Sequence, residues 1–150
     1  VQTILAALWL GMVVTLAGVS APILFQMLDR VTAGQVAGAM FRLEAQLGLG
    51  LAMALFLIER HRARTTARAA GRLPMGALWL ILGALFCTVL GYYGLQPMME
   101  QAKAGQVTPL SFGALHGLSS SLFMVKGGLL LWLVGLLAGR RATGACSVPL

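Results

Sequence analysis

Acidic residues are scarce in this chain: four among 150, namely Asp29, Glu44, Glu59 and Glu100. They form no repeated ligand set, and neither a phosphate-binding loop nor a nucleophile–base pair accompanies them. Cysteine is rarer still. Cys87 falls inside an apolar stretch and Cys146 close to the end of the sequence, with no Cys-x-x-Cys motif. That argues against a disulfide framework and against a cysteine metal site. Charged residues of both signs make up only 10% of the chain. A soluble domain of this size needs more polar surface, and too little sequence remains for a second domain.

What the chain does have is apolar length. Hydrophobic residues are 59% of it, with a mean hydropathy of +0.87. Four stretches carry this: residues 3–28, 36–58, 75–95 and 112–138. A hydrocarbon core about 30 Å thick takes roughly 20 helical residues to cross, and each stretch is long enough. Backbone polar groups in lipid must be satisfied within their own segment, which leaves helices. The expected fold is therefore all-α, an integral membrane antiparallel four-helix bundle in a single domain over 1–150. The first stretch lacks a basic leader, and Pro22 follows its one plausible cleavage site, so it reads as a mature helix and not a signal peptide.

The net charge of +7 would suggest nucleic acid in a soluble protein. Here the basic residues stand where membrane topology puts them, and nucleic acid is not an expected partner. Arg60, Arg62, Arg64, Arg68 and Arg72 fill the connection between the second and third stretches, and Arg140 and Arg141 follow the fourth. Lys and Arg accumulate on the cytoplasmic side. Four spans put that connection and both termini on one side, so both are expected in the cytoplasm of a bacterial inner membrane. Arg60, Arg64, Arg68 and Arg72 recur every fourth residue. On a helix they would form a strip for anionic lipid headgroups, or serve as a topology anchor and nothing more.

Small residues recur along each stretch: Ala7, Gly11 and Gly18; Gly34, Gly38, Ala45, Gly48 and Ala52; Gly83, Cys87, Gly91 and Gly94; Gly117, Ser121, Gly128 and Gly135. Such stripes let helices approach closely and are read here as the seams of a compact bundle. Ionisable groups inside a span mark a site or a pairing. The candidate polar cluster is Glu44 with His116, Ser119 and Lys126. Lys126 lies too deep to reach either headgroup layer and needs a partner, for which Glu44 is the best placed acid. Arg42 points away from Glu44 and is expected to snorkel outward.

The string Gly11, Ala21-Pro22, Phe25, Asp29-Arg30, Ala33-Gly34, Gly38 and Phe41, joined later by Leu115-His116-Gly117-Leu118-Ser119-Ser120, resembles the transmembrane-protein-205-like family. The resemblance runs over essentially the whole chain and implies four membrane helices with no established reaction. Where that pattern has an asparagine about two turns after the histidine, this chain has Phe123, with Lys126 just beyond. The matching residues Pro22, Phe25, Asp29, Arg30, Gly34, Phe41, His116 and Ser119 gather at the outer end. They read as a clamp in which His116 bonds across the first hairpin, or as a binding site.

The function expected is that of a multi-pass membrane protein, not an enzyme and without cofactor. It would be an accessory or interaction subunit, partnered by lipid and by another membrane protein or its own copies. A transport module working as an oligomer is one alternative. Copper or haem handling at the outer face, with His116 and nearby methionines, is another. Against the latter, His61 and His116 lie on opposite sides and cannot share one haem.

Overall fold

The computed structural model describes residues 1–70 and 75–145, with side chains over 1–66 and 75–140. Four helices are long and apolar enough to cross a membrane. They are α1 (Gln2–Met27), α2 (Arg30–Ala70, its apolar part Arg30–Thr66), α3 (Gly76–Lys103) and α4 (Phe112–Ala145, its apolar part Phe112–Arg140). No strand occurs among the described residues. Each helix packs on its neighbours in sequence, and α4 closes the ring against α1. The result is the antiparallel four-helix membrane bundle.

Three helices run beyond the apolar lengths, α4 continuing past 138 to Ala145. α2 begins at Arg30 instead of 36 and continues past Thr66, and α3 reaches Lys103 instead of ending near 95. Hydropathy marks where lipid ends, whereas helical hydrogen bonding continues through polar residues such as Gln96, Glu100 and Gln101. The α1–α2 connection is correspondingly tight. Leu28 is extended, and Asp29 caps α2, its Oδ1 accepting from the N–H groups of Val31 and Thr32 at 3.0 Å each. Hydrogen bonding from Thr32 holds the Asp29 carboxyl below the usual carboxylate range. α3 ends on Gly105 at φ 74°, with Gln106 N–H bonded to Gln101 C=O and Gly105 N–H to Ala102 C=O. That is a Schellman closure, and glycine alone takes its left-handed turn without strain.

α1 and α3 each carry one π-helical segment, Leu16–Ser20 and Leu90–Leu95, and each precedes a proline, Pro22 and Pro97. Proline brings no N–H to the ladder, and the backbone widens locally to absorb the missing donor. The Ala21 N–H accordingly reaches back to Leu16 C=O, five residues earlier.

The larger core cluster fills the arginine half, with Trp9, Leu55, Ile81, Leu130 and Leu133 packed around Ala6, Ala52, Ala77 and Ala84. A smaller one, Leu95, Met99 and Leu115, closes the other end. Alanine, with Ala45 and Ala52 of the expected small-residue stripes among the buried ones, therefore supplies much of the close helix contact. Gly48 and Gly83 are in tight seams. Gly11, Gly18, Gly91, Gly117, Gly128 and Gly135 have open space where a Cβ would stand. A period of four or seven fixes which residues share a face but not which way the face turns.

Candidate functional site

Between the two apolar clusters lies a buried ion pair. Lys126 Nζ donates to Glu44 Oε2 at 2.7 Å, and the two side chains are 3% and 5% exposed. Lys126 sits at the middle of its span, and Glu44 lies well inside its own. Glu44 is 14 residues past Arg30, and Lys126 is equally far from Phe112 and Arg140, about 21 Å at 1.5 Å per residue. Neither can reach a headgroup layer, so the charges meet each other across α2 and α4, as the depth of Lys126 requires.

Two aromatic residues complete the arrangement. Trp9 of α1 donates its Nε1–H to Glu44 Oε1 at 3.2 Å, so one carboxylate ties three helices. The Phe123 ring lies 4.4 Å from Lys126 Nζ and stacks edge-on against Phe41 at 5.1 Å. An aromatic face offers the ammonium a further electrostatic contact where no water competes. The side chain standing where an asparagine was expected is thus a cation–π partner of the lysine.

By its place in the sequence Trp9 resembles Trp79 and Trp132, each in the half of its span nearer the arginines. Those two are exposed, as a belt requires, whereas Trp9 is wholly buried. The legible signal was Gly48, one turn past Glu44. A Cβ there would lie 2.9 Å from Trp9 Nε1 and 3.4 Å from Glu44 Oε1. Gly48→Ala is expected to push the indole off the carboxylate and to cost about 1–3 kcal/mol, as overpacking does. Thermal unfolding, together with Trp9 emission in a Trp79→Phe/Trp132→Phe background, reads both effects.

The rest of the expected cluster does not assemble. His116 is exposed and stacks on Phe112 of its own helix, ring centroids 6.0 Å apart. It lies ten residues from Lys126, about 15 Å along α4. Ser119 makes no bond to the pair. The outer-end clamp is likewise corrected: His116 does not bond across the first hairpin. The end of α3 stands there instead, with Lys103 Nζ 4.0 Å from a Cβ at Gly34 and the Gln96 amide 3.9 Å from one at Gly38. Phe25 and Arg30 are exposed, Asp29 caps a helix, Pro22 follows a π segment, and Phe41 reaches the ion pair through Phe123. Arg42 turns outward and meets Glu100 at 4.0 Å, with both side chains more than half exposed. A pair so open contributes little.

A second polar centre lies at the arginine end. Glu59, 1% exposed, accepts from Arg62 Nε and Nη2, from Arg140 Nη1 and from Gln2 Nε2, at 2.7–2.9 Å. It joins α1, α2 and α4 and places both arginine clusters at one end of the bundle. Glu59 stands just past the apolar stretch 36–58, yet it is inside α2. Arg60 and Arg64 face outward one turn apart. The Arg68 side chain and all of Arg72 lie outside the described residues. No group of three or more His, Cys, Asp or Glu suited to a metal occurs among the described residues.

No curated protein and no solved structure matches the chain. The family match covers residues 4–108, so it takes in Trp9, Gly48, Glu44 and Glu59 and stops short of α4 with His116 and Lys126. It does not carry the transmembrane-protein-205-like name that the sequence suggested, and it spans less than the whole-chain resemblance expected. Over those residues the chain belongs to the family described as Domain of unknown function (DUF4149).

Proposed function

We propose that this is a non-enzymatic accessory or interaction subunit of a bacterial cytoplasmic membrane, with both termini on the cytoplasmic side. The observation that carries the reading is the use made of the interior acids. Glu44 bonds Lys126 and Trp9, and Glu59 bonds Arg62, Arg140 and Gln2. Each is a tie between helices. The resemblance to the transmembrane-protein-205-like family agrees with a membrane scaffold and adds no reaction to it.

The partner face lies on α4. Gly117, Ser121, Gly128 and Gly135 share one face and are exposed, with open space above each glycine. Small residues on an outer face allow another helix to come close. Gly128→Leu should leave thermal unfolding unchanged and shift the complex seen by native mass spectrometry of detergent-extracted membranes to lower mass. A monomer in both wild type and variant would overturn the reading.

Orientation follows from the arginines. Arg60 and Arg64 face outward beside the bundle end that Arg140 shares, where anionic headgroups offer about 1 kcal/mol per basic residue. Cys146 is the reporter for the tail. A membrane-impermeant thiol reagent should leave it unlabelled in intact cells and label it in inverted vesicles. Labelling from outside would reverse the topology.

A further inference from the structure

A cleft of about 660 Å³ runs between α1 and α2 and opens sideways from the bundle at mid-membrane depth. Its walls are apolar, but three polar residues are among those lining it: Thr15 and Ser20 from α1 and Glu44 from α2. We infer that this cleft binds a lipid-soluble molecule with an apolar chain and a terminal hydroxyl, seated against Glu44 from the hydrocarbon side.

The polar groups carry the inference. A carboxylate offers about four acceptor positions, and Glu44 uses one on Lys126 and one on Trp9. Thr88 and Ser121 satisfy their hydroxyls on the carbonyl four residues earlier. Thr15 and Ser20 make no such bond, and among the described residues neither hydroxyl has a protein partner. In lipid no water takes the place of that partner. An apolar cleft with a few converging polar groups is the usual form of a small-molecule site. A hydroxyl suits this one, because it can donate to Glu44 and accept from Thr15 or Ser20. The charge at the floor is already neutralised by Lys126, so a cationic ligand gains no net attraction.

The shape agrees. Gly11 lines the cleft with open space above its Cα, and the π segment Leu16–Ser20 forms the wall beyond Thr15. Such segments occur often at functional sites. The site stands apart from the partner face on α4, so either can fail alone.

The test uses the full chain in phosphatidylcholine vesicles and a long-chain primary alcohol carrying a photoactivatable diazirine. Cross-links mapped by peptide mass spectrometry should concentrate on residues 7–16 and 40–47 and vanish with excess unlabelled alcohol. The methyl ether of the same chain keeps the acceptor and loses the donor, and should compete about tenfold less well. Gly11→Leu should abolish labelling without changing thermal unfolding, and Thr15→Val should weaken it several-fold. Labelling spread over all four helices, or retained in Gly11→Leu, would overturn the site. Equal competition by the ether would overturn the hydroxyl assignment. Disulfide formation between Ala7→Cys copies that excludes the alcohol would show the cleft to be filled by a second copy, and would overturn it too.

Discussion

Glu44→Gln should destabilise the protein by about 3–5 kcal/mol, the loss expected when one partner of a buried ion pair is removed. The Lys126 ammonium, 3% exposed, would remain at the centre of the bundle facing a neutral amide. Insertion scales put an unpaired cation at that depth at about 2.5–3.5 kcal/mol. An ordinary hydrogen bond between membrane helices contributes only about 0.6–2 kcal/mol, so the charge dominates and the lost bond is secondary. The amide oxygen of glutamine can still accept from Trp9, which isolates the electrostatic part.

The double variant Glu44→Gln/Lys126→Met decides the matter. Replacing a whole buried pair by groups of similar volume is often close to neutral, and methionine fills the lysine's space with flexible apolar atoms. Most of the loss should therefore be recovered. Unfolding of the four proteins in one detergent gives the coupling directly. If the single losses simply add, the pair contributes nothing, and Phe123 must be what accommodates the ammonium.

The pair was legible because depth alone obliges a mid-span lysine to find an acid, and Glu44 was nearest in level. What could not be read was the third member. Trp9 has the sequence position of an interfacial belt residue, and only the packing of α1 against Gly48 turns it inward. The small-residue stripe of α4 faces the other way than expected for the opposite reason. Its spacing fixes a shared face, but an outward face in lipid carries no polar residues to mark it. Gly117, Ser121, Gly128 and Gly135 thus look the same whether they face the bundle or the bilayer. The outer-end motif was misread because α3 continues helical to Lys103. Its polar last turns then occupy the space assigned to His116.

Glu59→Ala should cost about 2–3 kcal/mol, less than the central pair although Glu59 is equally buried. Four hydrogen bonds converge on its carboxylate, filling the roughly four acceptor positions it has. Removing it leaves two guanidiniums facing each other. The Arg62 and Arg140 side chains are 35% and 29% exposed, however, and sit at a bundle end where water and headgroups reach. Long basic side chains there can swing outward and rehydrate, so the full cost of a stranded buried charge does not apply. Arg62→Leu alone should cost about 1 kcal/mol, because Arg140 and Gln2 still hold the carboxylate in a net favourable contact. The double change Arg62→Leu/Arg140→Leu should cost more than twice that, since it strands the acid beneath Gln2 alone. A double-mutant cycle on thermal unfolding measures the excess. Strict additivity of the two arginine changes would mean that Glu59 is hydrated in the membrane and that α1, α2 and α4 are held at this end by packing.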